Sequence, residues 1–253
     1  MTQTTDRPTS TRRRRTVAPL LIAVSVLVTA CGGGEAGEPT EPTIPADTDA
    51  IVAASATAMG ATESVRFELR RRGAPVHIDQ VEQLTLNSVI GRFTVPGSAQ
   101  AVLEVEVDGD LVSELGAVAL DDEIWLSNPI TGEFEPLPAG IDLDPSLFFD
   151  PKGGWQPLME GLTDVELVGT EKRDGATRYH IAATAPADRV ETITAGLVQD
   201  QDVVIDFWIQ PVTGHVRAVE FTTTVDGADV EWSLDLSEYD EDFDIRPPEG
   251  VEP

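Results

Sequence analysis

Apolar and polar residues alternate with a period of two over much of the chain. Successive side chains of a β-strand point to opposite faces, so this pattern predicts strands with one buried and one solvated face. The alternation is clearest in two segments, whose apolar positions are Val65, Phe67, Leu69, Ala101, Leu103, Val105 and Val107. Weaker patterns predict further strands over 76–90, 111–119, 123–126, 165–170, 178–185, 203–210, 215–225 and 230–236.

Two helices are predicted beside about nine strands. Thr48 or Asp49 can cap a helix that runs to Met59 and is stopped by Gly60, and a second helix is predicted over 186–197. Tight turns are expected at 108–110 and 121–122, and a hairpin joins the strands at 203–210 and 215–225. The Pro- and Gly-rich segment 128–164 is expected to form loops and short helical turns. The elements predict an α+β fold with a large antiparallel sheet.

The N-terminus has a different pattern. Five arginines, at positions 7 and 12–15, precede an apolar run over 17–30, which is 14 residues long. A membrane-spanning helix needs about 20 apolar residues, so the run is too short to be one. Residues 1–30 are therefore predicted to be a secretory signal peptide.

The run ends at Cys31, the only cysteine, within the sequence Leu-Val-Thr-Ala-Cys-Gly. This resembles the lipobox of bacterial lipoproteins, which implies that Cys31 is acylated and becomes the mature N-terminus. Two or three acyl chains would give stable membrane anchoring on the extracytoplasmic side. The alternatives are an incidental cysteine or a buried free thiol.

Composition limits the partners. The chain has 17 basic and 45 acidic residues and a formal charge of −28, and removal of residues 1–30 leaves 12 basic and 44 acidic residues. We expect no nucleic acid partner, because the phosphates of DNA and RNA are bound mainly by Lys and Arg. Residues 31–46 are predicted to form a flexible tether that carries the lipidated cysteine, 47–246 a single domain, and 247–253 a tail.

No pattern of catalytic or metal-binding residues is found. His77, His180 and His215 are scattered, and no G-x-S-x-G or phosphate-binding glycine motif occurs. The acidic stretch 237–244 lacks the spacing of a calcium loop and is interpreted as a solvated segment. We therefore expect no enzymatic activity, no catalytic residue, no metal and no cofactor.

The order of elements resembles the LppX/LprA/LprF/LprG lipoprotein family. The resemblance rests on the lipobox, the tether, the first helix, the strand at 123–126 and the hairpin Phe-Trp-Ile-Gln…Thr-Gly at 207–214. It implies a LolA/LolB-like fold, a curved antiparallel β half-barrel with helices packed across its concave side. It also implies an apolar cavity lined by Val65, Phe67, Leu69, Ala101, Leu103, Val105, Val107 and Leu126. Periodicity alone is equally compatible with a closed core.

The resemblance implies a membrane-anchored lipoprotein that binds lipids or glycolipids and carries them across the cell envelope. An envelope lipid transporter is a possible partner. The alternative function is a surface lipoprotein that acts as an interaction or transporter-accessory module. A third alternative, an envelope enzyme, requires a polar pocket that the sequence does not display.

Overall fold

The computed structural model describes residues 43–79, 81–107, 111–120, 123–137, 146, 150, 152–194 and 197–248. Contacts divide the chain into two units, Met1–Thr40 and Glu41–Pro253. Every described residue belongs to the second unit, which has a continuous sheet and its own core. We therefore expect Glu41–Pro253 to fold by itself. No helix in the described ranges is long and apolar enough to cross a membrane.

The described residues form one antiparallel sheet of eleven strands. The first six strands are each paired with the next along the chain, and so are the last five. The two series meet where β1 pairs with β11, so the spatial order is β6-β5-β4-β3-β2-β1-β11-β10-β9-β8-β7. The strands are β1 (Ser64–Gly73), β2 (Leu84–Thr94), β3 (Ser98–Val107), β4 (Leu111–Leu120), β5 (Glu123–Ser127), β6 (Phe134–Pro136), β7 (Thr163–Arg173), β8 (Ala176–Ala185), β9 (Val203–Ile209), β10 (Val216–Val225) and β11 (Ala228–Ser237).

The curved sheet has two faces of different chemistry. The concave face carries the apolar side chains of the period-two pattern, and the registers place them side by side across neighbouring strands. The convex face carries charged and polar side chains such as Arg66, Glu68 and Glu104. This α+β half-barrel, with helices packed across its concave side, confirms the predicted fold class.

Three helices accompany the sheet in the described ranges: α1 (Thr48–Gly60), α2 (Trp155–Glu160) and α3 (Ala187–Ile193). The cap of α1 is Asp47, one residue before the predicted candidates, because its carboxylate accepts a hydrogen bond from the Ala50 amide at 3.0 Å. Ile51 and Met59 of α1 are fully buried in the core. The predicted helix over 186–197 is shorter than expected, because α3 ends at Ile193.

The predicted single strand over 76–90 is wrong. The isolated bridge between His77 and Thr85 shows that the chain folds back on itself before β2 begins. The Asp79 carboxylate accepts hydrogen bonds from the amides of Gln83 and Leu84, which fixes the intervening turn. The pattern therefore covers a small hairpin and the first part of β2.

The segment 128–164 contains the short strand β6 as well as the expected short helix, α2. The predicted turns at 108–110 and 121–122 lie outside the described residues, as do residues 1–30, Cys31 and the end of the tail. The chain is already tied to the domain at Ile44. Its amide donates to the Pro211 carbonyl at 2.8 Å, and its carbonyl accepts from the Tyr179 hydroxyl at 2.6 Å.

The hairpin between β9 and β10 depends on a glycine. Gly214 has a φ of +80°, and a Cβ built on it would lie 2.9 Å from the carbonyl oxygen of Ala54 in α1. Gly227, between β10 and β11, has the same φ but nothing within 4 Å of its built Cβ. Both glycines therefore share the backbone conformation that other residues rarely adopt, but only Gly214 also lies close to a helix. Substitutions at the two positions can distinguish the cost of backbone strain from the cost of a clash with α1.

We expect Gly214→Ala to lower the free energy of unfolding by about 2–3 kcal/mol, because left-handed strain of about 1–2 kcal/mol adds to a clash with α1. Gly227→Ala should lose only the strain contribution. Urea unfolding of both variants measures the difference. Equal losses at the two positions would contradict the close packing of this turn on α1.

Candidate functional site: an apolar cavity under the sheet

The concave face encloses an apolar cavity. The space within it is about 1440 Å³, including the part open to solvent. Of the lining side chains in the described ranges, Thr194 is the single one of polar type. The strands supply Val65, Phe67, Leu69, Leu86, Val89, Phe93, Ala99, Ala101, Leu103, Ala117, Val118, Ala119, Ile124, Ile205, Val219, Phe221, Trp232, Leu234 and Leu236, and the remainder of the chain supplies Ile78, Trp155, Thr194, Leu197 and Val198.

A row of small residues makes room for the cavity. Gly91 of β2, Ala101 of β3 and Ala117 of β4 are register partners on the concave face. Phe67 of β1 is the next partner, and a Cβ built on Gly91 would lie 2.6 Å from its ring. Large side chains at these positions of β2, β3 and β4 would fill the space beside Phe67, so the three small residues leave room for the cavity.

The cavity is covered by α2 and by the segment after α3. Trp155 is 4% exposed and lies against the cavity from α2. Leu197 and Val198 contribute from the chain after α3. The Thr194 hydroxyl is engaged by backbone groups, since it donates to the Val190 carbonyl at 2.8 Å and accepts from the Val198 amide at 3.2 Å. It therefore stabilises the cover instead of presenting a free polar group to the cavity.

Five of the residues that the sequence indicated as cavity lining lie together around this space: Val65, Phe67, Leu69, Ala101 and Leu103. The other three do not line it. Val105 and Leu126 are buried in the core, and Val107 is packed against that core. Contact of any of these residues with a lipid stays a prediction.

Several lining residues were missed in the sequence. Val219 and Phe221 alternate with Glu220, and Trp232, Leu234 and Leu236 alternate with polar residues, so the same period-two signal marks them. Leu86 and Val89 were obscured by the incorrect strand over 76–90, and Phe93 lies in the part of β2 beyond the predicted end of that strand. No sequence signal marks the covering residues, because their position depends on packing between distant elements.

The cavity is suited to removing apolar surface from water. Burial of apolar area stabilises a complex by about 25 cal/mol per Å².

No group of three or more His, Cys, Asp or Glu side chains that could hold a metal ion is found in the part of the chain that the structure describes.

A second cluster lies on the convex face around Trp208. The His180 ring stacks on the Trp208 indole with centroids 4.6 Å apart, and the Arg173 guanidinium lies 4.2 Å from the indole centroid. His180 Nδ1 is 2.9 Å from Glu171 Oε1, and Nε2 is 2.7 Å from Asp206 Oδ1. Trp208 Nε1 donates to the other Glu171 oxygen at 3.0 Å. A neutral imidazole has one N–H, so only the protonated ring can donate to both carboxylates.

Burial of the His180 ring by itself lowers its pKa, but the hydrogen bonds to Asp206 and Glu171 outweigh burial, and the net pKa is raised. The Trp208 and His180 hydrogen bonds lower the pKa of Glu171. A raised folded-state pKa means that the protonated ring stabilises the fold. This contribution is fully present below the unfolded value of about 6.5 and is lost as pH rises through the folded value.

We expect His180→Gln to lower the free energy of unfolding by about 1–2 kcal/mol at pH 6, since two charge-assisted hydrogen bonds are lost. The difference from the unaltered protein should shrink as pH rises towards 9. Urea unfolding from pH 5.5 to 9 measures it, and NMR titration of the imidazole gives the folded pKa. A ring that titrates at or below 6.5 would contradict the double contact.

The fold and cavity define a class of protein: a half-barrel with one open antiparallel sheet curved around an apolar cavity. Comparison with known proteins identifies the family. The family model for the LppX_LprAFG lipoprotein matches residues 47–245. The chain therefore belongs to the LppX_LprAFG lipoprotein family, which confirms the resemblance seen in the sequence.

Solved structures share the fold. LprF from Mycobacterium bovis aligns with a TM-score of 0.63 at 17% identity, over 83% of this chain and 100% of that chain. LppX from Mycobacterium tuberculosis aligns with a TM-score of 0.55 at 19% identity, over 79% of this chain and 100% of that chain. No curated protein sequence matches this chain. At these identities the two structures establish a common architecture.

Proposed function

We propose that the protein is a membrane-anchored lipoprotein that binds a lipid or glycolipid in the apolar cavity and carries it across the cell envelope. The observation that carries this proposal is the cavity itself, enclosed on the concave face and lined almost wholly by apolar side chains in the described ranges. Membership of a lipoprotein family supports it. Non-covalent binding is sufficient for this role, and no chemical step is invoked.

The binding energy would come from the hydrocarbon part of the ligand. Each methylene group removed from water contributes about 0.8 kcal/mol, so one acyl chain can supply most of the affinity. The lining residues offer apolar contact from β1, β2, β3 and β11 on one side and from α2 on the other. A ligand of this kind would keep its chains under the sheet while the tethered domain moves between the sites that donate and accept it.

The proposed location follows from the N-terminal segments. Residues 1–30 would direct export and be removed, Cys31 would carry the acyl anchor, and a tether that reaches the domain at Ile44, two residues before the predicted end, would connect the two. The mature chain is strongly acidic, so attachment would rest on the acyl chains instead of a general attraction to anionic lipids. The proposed protein partner of such a carrier is an envelope lipid transporter.

The test is native mass spectrometry of the Glu41–Pro253 domain purified from cells, followed by organic extraction. A lipid that copurifies at near one to one supports the proposal and identifies the ligand class. An apo domain that also fails to load added phospholipid or glycolipid would overturn lipid carriage. That result would favour the interaction or transporter-accessory module.

A further inference from the structure

Two arginines face each other on the convex side of the sheet. Arg66 of β1 and Arg92 of β2 are direct register partners, and Gln100 of β3 is the next partner in the same row. Like charges that lie directly opposite across a strand pair destabilise a sheet. An arrangement of this kind is unexpected in a chain where acidic residues outnumber basic ones by 45 to 17.

Neither guanidinium has a hydrogen-bonded carboxylate partner among the described residues. Arg66 Nε lies 3.8 Å from Glu238 Oε1, which is beyond hydrogen-bonding distance. Arg92 lies over the Phe243 ring, 5.3 Å from its centroid, and forms no ion pair with a described residue. By contrast, Arg70 on the same face is paired with Glu68 and with Asp235, the latter at 3.2 Å. Arg70 is thus neutralised by carboxylates on this face, whereas Arg66 and Arg92 keep N–H donors available.

These donors border a depression distinct from the cavity. Its space is about 720 Å³, including the part open to solvent. Ile90 and Val102 form part of its wall and are 38% and 46% exposed. Phe134 of β6 forms another part, and a Cβ built on Gly116 would lie 2.8 Å from its ring. Two guanidinium groups and an amide therefore adjoin an apolar surface.

We propose that this depression binds a phosphate group, either free or in the headgroup of an amphiphile. Guanidinium groups bind phosphate oxygens by paired, charge-assisted hydrogen bonds, and Gln100 can donate a further one. The bound anion would remove the repulsion between Arg66 and Arg92. The apolar wall would contact the non-polar part of an amphiphile. This inference is independent of lipid binding in the cavity on the opposite face.

The experiment follows the arginine Nε–Hε signals of the Glu41–Pro253 domain by NMR at about 0.1 M ionic strength, while inorganic phosphate is added. Saturable shifts are expected for Arg66 and Arg92. Arg66→Gln or Arg92→Gln should weaken binding at least fivefold, because each removes one charged contact. The matched control Arg70→Gln, a convex arginine outside the depression, should change affinity less than twofold.

A stability measurement adds a second readout. Without phosphate, Arg92→Gln should raise Tm by about 1–2 °C, since it removes the like-charge pair. At a given phosphate concentration, the Tm of the unaltered domain should then rise more than that of this variant. Both Tm changes are expected if the two arginines form a binding site that destabilises the sheet when it is empty. Neither change is expected if the two arginines are simply solvated.

Sedimentation with vesicles identifies the source of the phosphate. Binding to phosphatidylglycerol but not to phosphatidylcholine vesicles, lost in Arg92→Gln, indicates a lipid headgroup. Saturation by inorganic phosphate without vesicle binding indicates a free phosphate. Absence of both, or equal loss in Arg70→Gln, would overturn the proposal. Lipid bound in the cavity does not interfere with the phosphate titration, because the Nε–Hε signals that are followed belong to arginines on the convex face.

Discussion

Leu103→Trp is expected to remove most of the lipid that copurifies with the Glu41–Pro253 domain while the domain stays folded. Leu103 is 5% exposed and points into the cavity from the centre of β3. Its register partners Val89 and Leu115 hold the strand in place on either side. An indole at this position would extend into space that an acyl chain occupies in the proposed complex.

The expected effect is large. If the indole displaces about four methylene groups of the ligand, at about 0.8 kcal/mol each, binding weakens by about 3 kcal/mol, or more than a hundredfold. Ala101→Trp should have a similar effect, because Ala101 belongs to the row of small residues that makes room for the cavity. Native mass spectrometry measures the fraction of each variant that carries lipid.

Glu104→Trp is the matched control. It places the same side chain on the same strand, but Glu104 is exposed on the convex face. Its lipid occupancy should equal that of the unaltered domain, and circular dichroism should show all three variants folded. Unchanged occupancy in a folded Leu103→Trp variant would contradict lipid binding at this part of the cavity.

The strands were accessible from the sequence because one physical cause acts locally. A strand with one face in water must alternate polar and apolar residues, and β1 and β3 do so over their length. The pattern failed at Asp79, where a side chain closes a turn inside an otherwise apolar segment. A turn made by one carboxylate leaves no mark on periodicity.

The pairing of β1 with β11 could not be derived from local pattern. These strands are separated by most of the domain, yet their pairing joins the two hairpin series into one sheet. The cost of bringing two strands together depends on the length of chain between them, and the local sequence of either strand carries no information on it. Here the family resemblance supplied the architecture that the residues alone left open.

The cavity was the least predictable feature. Periodicity identifies the face that avoids water but does not distinguish a solid core from an enclosed space. The difference depends on the register that aligns Gly91, Ala101 and Ala117, and on the cover formed by Trp155 and Leu197. Both are consequences of tertiary packing, so they appear only when the strands are assembled.

Cys31→Ser is expected to move the protein from the membrane fraction to the aqueous fraction. Cys31 lies outside the described residues, and this prediction rests on its place at the end of the apolar run and on family membership. Acyl chains contribute about 0.8 kcal/mol for each buried methylene group, so two or three chains anchor a protein stably at a membrane. The acidic domain has no comparable attraction of its own.

Fractionation of cells that express each variant measures the change, and mass spectrometry of the N-terminus reports acylation and removal of residues 1–30. Gly33→Ser, two residues further along, is the control and should remain anchored. N-terminal analysis also distinguishes loss of the anchor from retention through an uncleaved leader. A Cys31→Ser chain that has lost its leader but stays with the membrane would show that attachment depends on another part of the protein.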